Sequence, residues 1–413
     1  MKFTLLCVGS HGDFRPYIAL GIALKEKGHE VTIGSHAKAR HLCEKYHLNF
    51  RLVEGDLTEL IGKERGHEIL WGGKGKLWLQ LMGIMKEFKR VLEMQLPTSL
   101  QAASDADVLI YGPSAFAGPH LGEYLSIPSF LMQLQPDSPT KHVPCCLFSG
   151  FEKWGKAGCL LSHFIARQQL WQPIRKEINR WRQNELGLKK MSFFGPKRLP
   201  TLVAFSSQLV PRPSDWGNHV HMTSFCRIEN EKDWTPPDSL AQFLSSGDVL
   251  YVGFGSLTEA CHPSIVEKII NVLTKKKIKT VISAHLPTLD PSKLPSWIYP
   301  LDYAPHDWLF PRVAAVVHHG GVGTLAAGLY AGKPTLIVPF IVDQPYWGRF
   351  IERKELGPKP LSPFSFTELE FEKRLDQLLT HSKYKENAEL IKNALDNEKN
   401  GAEFTIESIL SQL

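Results

Sequence analysis

Residues 313–350 read VAAVVHHGGVGTLAAGLYAGKPTLIVPFIVDQPYWGRF. Val313 to Val317 is β-branched and alanine-rich without a charge, the composition of a strand buried on both faces. Gly320, Gly321 and Gly323 interrupt it, a short apolar helix runs from Leu325 to Tyr330, a glycine stops that helix, and Thr335 to Pro339 is apolar again. Strand, glycine turn, helix and strand make a βαβ unit, which implies a parallel sheet. Glycines at the strand exit let backbone N–H groups approach an anion at the positive end of the helix, and phosphate is the expected anion. Thr324 adds a hydroxyl and His319 an N–H, charged or neutral. The same glycines would equally serve a tight structural turn. Asp343 and Gln344, just beyond the second strand, favour a ligand. Residues past the carboxyl ends of strands face the crevice of an open α/β sheet, and an Asp-Gln pair suits vicinal hydroxyls. Turn and pair together describe a site for a nucleotide sugar.

The same grammar recurs at the start of the chain. Phe3 to Val8 reads as a buried strand ending in Gly9-Ser10-His11-Gly12-Asp13, with Pro16 opening a helix whose apolar side carries Ile18, Leu20, Ile22, Ala23 and Leu24. Val31 to Ile33 is the next strand. Further along, Val108 to Tyr111, a turn from Gly112 to Gly118, a helix from Pro119 to Leu125 and a strand from Pro128 to Met132 repeat the unit, and Thr201 to Ser206 reads as the last strand of the first half. Prolines and polar residues between Pro211 and Asp238 mark a linker. Val249 to Phe254 then opens a second set of strands, with the turn Gly255-Ser256 at its end.

The motifs HHGGVGTLAAGLYAGKPTLIVPFIVDQPYWG, GSHGDFRPYIALGIAL, YVGFGS and PHDWLFPRVAAVVHHGG resemble those of UDP-sugar-dependent glycosyltransferases, and among them the sterol glucosyltransferases and their bacterial lipid- and antibiotic-glycosylating relatives. The resemblance covers nearly the whole chain. It implies an α/β fold of two Rossmann-like, doubly wound parallel-sheet domains facing a cleft (GT-B). The expected division is an acceptor domain over residues 1–210, a linker over 211–245, a donor domain over 246–385, and C-terminal helices over 386–413 crossing back to the first domain. It implies donor contacts from Ser10, Ser256, Ala304, His306, His319, Gly321, Val322, Gly323, Thr324, Asp343 and Gln344, with the base of the donor held near Tyr303-Ala304-Pro305-His306. Ala327 stands where plant relatives with a longer signature carry a ribose-binding glutamate, so ribose contacts are expected elsewhere.

Asp13 is the expected catalytic base. An alcohol of pKa about 16 must lose its proton as a glycosidic bond forms, and a carboxylate of reference pKa about 4 is ionised at neutral pH and can accept it. Asp at a helix start is also a common cap or dipole partner, and His11 is a rival base. The sterol branch has arginine where this chain has His11, and glutamine or glutamate is common where it has Arg15. The reading is therefore inverting transfer of a hexose, glucose from UDP-glucose, to a hydroxyl of a lipophilic acceptor such as a sterol. A macrocycle or a diacylglycerol is the alternative acceptor. UDP-sugar is a co-substrate; no cofactor and no metal are expected. An NAD(P)-dependent oxidoreductase would need G-x-G-x-x-G after the first strand, a spacing Gly9-Ser-His-Gly-Asp lacks. Asp13, His319, Asp343 and Gln344 together argue against a non-catalytic binding protein.

Bulk composition is compatible with this. A chain of 413 residues, 43% hydrophobic and 22% charged, can fill two cores. The formal charge of +6 is modest and no dense Lys/Arg block points to nucleic acid. Seven irregularly spaced cysteines read as reduced thiols; Cys145-Cys146 is no metal motif, since adjacent cysteines cannot both reach a tetrahedral zinc without strain and no His/Cys partners stand at the usual spacing. Asp105-Ala-Asp107 precedes a strand and reads as solvated loop. MKFTLLCVGS is too short an apolar run for a signal segment, and no run approaches the ~18 apolar residues of a spanning helix. A cytoplasmic protein, peripheral at the inner face of a membrane, is expected.

Two stretches are candidates for the acceptor side. Trp71-Gly-Gly-Lys-Gly-Lys76 reads as a mobile lip before a helix marked by Leu77, Leu81, Ile84, Phe88, Val91 and Gln95. Val143 to Trp154 (VPCCLFSGFEKW) gathers aromatic residues in a long loop, either a lipophilic wall or membrane edge, or simple burial under the next helix.

Overall fold

The computed structural model describes residues 1–72, 87–148, 150–196, 199–228 and 234–413, apart from the side chains of residues 58, 60–65 and 69. The chain forms two compact units: Met1–Ile69 with Trp78–Ile228 and Glu398–Leu413, and Leu70–Leu77 with Glu229–Asn397.

The first unit is built on seven parallel strands: β1 (Lys2–Leu6), β2 (Glu30–Ser35), β3 (Asn49–Leu52), β4 (Val108–Tyr111), β5 (Ser129–Gln133), β6 (Thr201–Val203) and β7 (Val220–Met222), in the order β3-β2-β1-β4-β5-β6-β7. Phe3 stands between Val31 and Val108 in register, and all of Val108–Tyr111 is buried, as expected where helices cover both faces. The helix His11–Glu26 buries Phe14, Tyr17, Ile18, Leu20 and Leu24. Its Tyr17 hydroxyl donates to the Met132 carbonyl at 2.6 Å, tying it to the end of β5. On the other face the helix Gly155–Asn184 sets Trp171, Ile174, Ile178 and Trp181 against Leu109, Tyr111 and Leu121. Each such apolar side chain contributes about 1.5–3 kcal/mol on burial.

The last helix, Gly401–Leu410, packs on His11–Glu26, and Glu398 accepts hydrogen bonds from Ser206 (2.7 Å) and Ser224 (2.5 Å).

The second unit has five parallel strands: β8 (Leu250–Gly253), β9 (Thr280–Ser283), β10 (Ile298–Leu301), β11 (Ala315–His318) and β12 (Thr335–Ile337), ordered β10-β9-β8-β11-β12. Val252, Val317, Leu336 and Ile282 line one face of the sheet and Tyr251, Val281 and Val316 the other, each in its own apolar cluster.

Three expectations need correction, and one strand, β3, has no counterpart among them. The first helix starts at His11, not at Pro16, which lies inside it; the Ser10/Asp13 cap signature outweighs the proline. β3 is a half-exposed edge strand, Asn-Phe-Arg-Leu, whose polar residues hid it. β7 extends the first sheet beyond Val203, inside the proline-rich stretch read as linker, so Thr201 to Ser206 does not hold the last strand of that half. Trp71 is not part of a mobile lip. It ends the helix Leu57–Gly72, donates its indole N–H to the Ala260 carbonyl at 3.0 Å, and sits 5.2 Å from the rings of both His262 and Phe364. The rest of that stretch, with Leu77, Leu81 and Ile84, lies outside the described residues; Val91 and Gln95 are buried on the helix Phe88–Ala103. Among the described residues no helix is long and apolar enough to cross a membrane.

Candidate active site

In a doubly wound sheet the ligand crevice opens at the carboxyl ends of the strands, where the strand order reverses. In the first unit the reversal lies between β1 and β4, and in the second between β8 and β11. The turn after β1 carries Ser10 and Asp13, the turn after β8 carries Ser256, and the turn after β11 carries His319 to Thr324. Topology alone thus places these motifs at the switch point of their own sheet.

In the first unit, Asp13 Oδ2 accepts the Ser10 N–H at 2.7 Å and the Ser10 hydroxyl at 2.8 Å. Among the described residues no donor reaches Oδ1. A Cβ at Gly9, whose φ is +136°, would stand 2.6 Å from Asp13 Oδ2, so glycine is required for the carboxylate to fold back over the turn. Asp13 keeps partial solvent exposure. The dense protein around it nonetheless raises its pKa by desolvation, against the lowering effect of the two Ser10 bonds and of Lys38. Capping therefore does not exhaust the carboxylate: both Ser10 bonds fall on Oδ2, and a role for Oδ1 as base is compatible with them. Ser10 spends both its donors on Asp13, so any donor contact from it must use its lone pairs. His11 is exposed and packs 4.9 Å from the Phe14 ring, while Arg15 is partly buried.

In the second unit, His318 lies under the glycine turn, fully buried, its Nδ1 accepting the Gly320 N–H at 3.0 Å. His319 is clamped between two glycines. A Cβ on Gly255 would come within 2.7 Å of its Cε1, and one on Gly321 within 2.3 Å of its Nε2. Burial, and then the neighbouring His306, lowers the His319 pKa to about 4, so at neutral pH it is a neutral imidazole; of the two protonation states left open by sequence, the uncharged one holds. Its Nδ1 is buried without a hydrogen-bond partner among the described residues.

The helix that follows begins at Val322, one turn earlier than its apolar run suggests, with Gly321 as N-cap and no side-chain cap. Gly323 is exposed and has nothing within 4 Å of where a Cβ would sit, so the N–H groups of the first turn stand open to an incoming anion.

Ser256, Tyr303, Ala304 and His306 line a hollow of about 390 Å³ over the ends of β8, β9 and β10. The size suits a nucleobase and its ribose. Its wall also includes Ser283 and Glu259, which the sequence reading passed over; Ser283 ends β9, so the carboxyl-end rule would have found it. His306 stacks on Phe310 with centroids 4.3 Å apart, which fixes the ring at the rim.

Asp343 and Gln344 lie past the carboxyl end of β12, but both are largely used inside the protein. Asp343 Oδ2 accepts the Trp347 indole N–H at 2.9 Å, and Gln344 Oε1 accepts the N–H groups of Phe340 and Ile341 at 2.8 and 3.1 Å. Between them and the strand, Val342 has φ +57°, a conformation a β-branched residue rarely adopts.

Comparison with known proteins agrees with this architecture. Residues 3–144 match the glycosyltransferase family 28 N-terminal domain, and residues 273–407 the erythromycin biosynthesis protein CIII-like C-terminal domain. A sterol 3-beta-glucosyltransferase of Arabidopsis thaliana is 33% identical over 96% of this chain and 63% of its own length. One of Aspergillus fumigatus is 32% identical over 86% of this chain and 26% of its own. The chain thus spans less than two thirds of these relatives. Among solved structures, the glycotransferase of kitacinnamycin superposes with TM-score 0.72 at 18% identity, covering 100% of this chain and 98% of that one. Glycosyltransferase VinC, in complex with dTDP, superposes with TM-score 0.69 at 19% identity, covering 100% and 99%. With two parallel α/β units, a family 28 domain followed by a CIII-like one, and these relatives, the chain belongs to the GT-B glycosyltransferases.

Proposed function

We propose that this protein transfers glucose from UDP-glucose to a hydroxyl of a lipophilic acceptor, a sterol foremost, with inversion at the anomeric carbon. The observation that carries the reading is the uncapped helix start at Gly321 beside neutral His319 and the Ser256 turn, at one switch point and next to a nucleobase-sized hollow. The diphosphate would lie on the N–H groups of Val322, Gly323 and Thr324, with the base in the hollow against Ala304 and His306. The names of the Arabidopsis and Aspergillus relatives support the sterol and the glucose.

In the proposed reaction the acceptor oxygen attacks the anomeric carbon as the bond to the diphosphate breaks. The proton of the acceptor passes to Asp13 Oδ1, and UDP departs with the bonding electron pair. A raised pKa makes Asp13 a better proton acceptor near neutral pH than an ordinary carboxylate. The negative charge growing on the leaving group meets a helix N-terminus and neutral donors fixed in advance, which is the role a metal ion fills elsewhere, so a metal-independent donor site is part of the proposal. The Gln344 amide nitrogen is the group of the Asp-Gln pair best placed to donate to a sugar hydroxyl, since its oxygen is occupied.

A membrane-borne acceptor is supported by the exposed apolar side chains of the first unit: Trp154 (65% exposed), Phe194 (59%) and Phe164 (47%) accompany the exposed Lys153, Lys156, Lys189 and Lys190. Aromatic and basic groups together suit peripheral contact with an anionic bilayer surface. The test is to incubate the purified protein with UDP-glucose, with and without a sterol in anionic vesicles. Sterol-dependent UDP release and a product heavier by one hexose are expected. UDP-glucose left unconsumed with every sterol offered would overturn the reading.

A further inference from the structure

Tyr251 stands in the middle of β8, is 8% exposed, and lines the hollow together with Ser256, Ala304 and His306. Its ring is used for packing. Phe310 lies 5.1 Å away and His306 5.9 Å, centroid to centroid, and Val281, Leu309 and Val316 belong to the same apolar cluster. Phenylalanine would fill that place equally well. Among the described residues no donor or acceptor reaches the hydroxyl, and burial alone pushes its pKa up to about 12, with no hydrogen bond acting against it. A buried hydroxyl without a partner is a cost to the fold. Such a group calls for a partner from outside the chain.

The strand shows where that partner would sit. Tyr251 and Gly253 are two residues apart, so their side-chain positions share one face of β8. A Cβ on Gly253 would overlap the Tyr251 hydroxyl oxygen and stand 2.8 Å from the ring carbon that bears it. The phenol therefore runs along the strand toward its carboxyl end, over a glycine that leaves room for it, and brings its oxygen to the side on which the crevice opens. Phe310 and His306, stacked on each other, hold the ring in that direction.

We infer that the Tyr251 hydroxyl binds the polar edge of the nucleobase of the sugar-nucleotide donor. The inference rests on the donor site proposed above. The base, not the diphosphate, is its partner because Tyr251 packs against His306 beside Ala304, on the wall where the base is placed, whereas the diphosphate is placed on the first turn of the helix Val322–Tyr330. A protonated phenol can donate to a carbonyl oxygen or accept from an N–H, and uracil offers both. A hydroxyl fixed in this way also selects. A base with no polar atom there leaves it bare, and hydrogen-bonding sites reject such analogues more sharply than apolar sites reject an added group.

The test is the UDP affinity of the whole protein, read by calorimetry, for wild type and Tyr251→Phe. The variant loses no hydrogen bond inside the protein, so it should melt at or above the wild-type temperature, and it should bind UDP about 3- to 10-fold more weakly. The same ratio should appear with dUDP, and inorganic pyrophosphate should not distinguish the two proteins. Gly253→Ala, whose Cβ displaces the hydroxyl while the phenol is still present, should lower UDP affinity at least as much. Equal UDP binding by wild type and Tyr251→Phe overturns the contact and leaves the donor site standing. A loss seen with UDP and absent with dUDP gives the hydroxyl to the ribose, and a loss shared by pyrophosphate gives it to the phosphates or to general damage; both overturn the inference. Wild-type protein that binds no UDP overturns the donor site and this contact together.

Discussion

The helices His11–Glu26 and Val322–Tyr330 each begin just past the carboxyl end of a strand beside a switch point, yet their first turns are finished in opposite ways. The first is closed by the protein's own anion: the Asp13 carboxylate accepts the N-cap N–H and keeps one oxygen in hand. The second is left bare, with a glycine N-cap and a flanking histidine that burial keeps uncharged. One helix dipole is met by the protein's own carboxylate; the other has no side-chain cap, which suits the ligand charge the proposed function places there. Under the proposed reaction the same local build would serve proton transfer in one unit and anion binding in the other.

The largest effect should come from removing the first device. Asp13→Asn keeps an oxygen for the cap and cannot take a proton, so product formation should fall about 10²- to 10⁴-fold with the donor KM little changed. A rate within a few fold of wild type would reduce Asp13 to a cap. The same variant bears on stability. Because the folded pKa of Asp13 lies above the ordinary 3.8, the folded chain binds the extra proton, and stability falls as pH rises through that folded value. Asp13→Asn should therefore be the more stable protein at pH 7, the difference vanishing in acid, where wild-type Asp13 is protonated in both states. The chemical-denaturation midpoint of the first unit reads this directly.

His319 slopes the other way. Its folded pKa near 4 lies below the ordinary 6.5, so between those values the unfolded chain binds more protons and stability is lost as pH falls. The loss is on the order of 3 kcal/mol when complete. His319→Asn should flatten the midpoint of the second unit between pH 6.5 and 4, with His318, likewise depressed by burial, retaining part of the slope. An unchanged profile would mean that His319 is not held neutral by its surroundings.

The contrast can also be abolished outright by giving the second helix the anion that the first one has. Gly323→Asp puts a carboxylate in the first turn at a position where a Cβ meets nothing within 4 Å. Folding should tolerate it or gain about 0.3–1 kcal/mol from the dipole. UDP affinity, read by calorimetry, should drop about 10- to 100-fold because the site is then filled by a like charge. Undiminished UDP binding would move the diphosphate elsewhere.

Much of this was legible in sequence because it is local. A β-branched run, a glycine turn and an apolar helix specify a βαβ unit within a few dozen residues, and the switch-point rule then says which turns matter. Asp13, Ser256 and His319 all stand at strand exits that the rule marks. What escaped was non-local or quantitatively weak. β3 and β7 are four and three residues long with polar members, too short to show a period. Trp71 reads as mobile from the glycines and lysines after it, while its own indole is partly buried and bonded to the Ala260 carbonyl.

The Asp-Gln pair lies between these cases, and the smallest effect expected here separates its two duties. Sequence marks Asp343 as a sugar-holding carboxylate, and the structure shows it also accepting the indole N–H of Trp347 from the next turn of its helix. Asp343→Ala removes both roles, so the second unit should lose about 1 kcal/mol of stability from the missing bond. If the carboxylate also reaches glucose, KM for UDP-glucose should rise about tenfold while the affinity for UDP, which has no sugar to hold, stays put. Asp343→Asn retains an oxygen for Trp347 and restores stability alone, so a donor defect that survives in this variant belongs to the sugar. A defect that disappears with the recovered stability makes Asp343 a purely architectural residue, and the hydroxyl contacts then fall to Gln344 and to the backbone around the strained Val342.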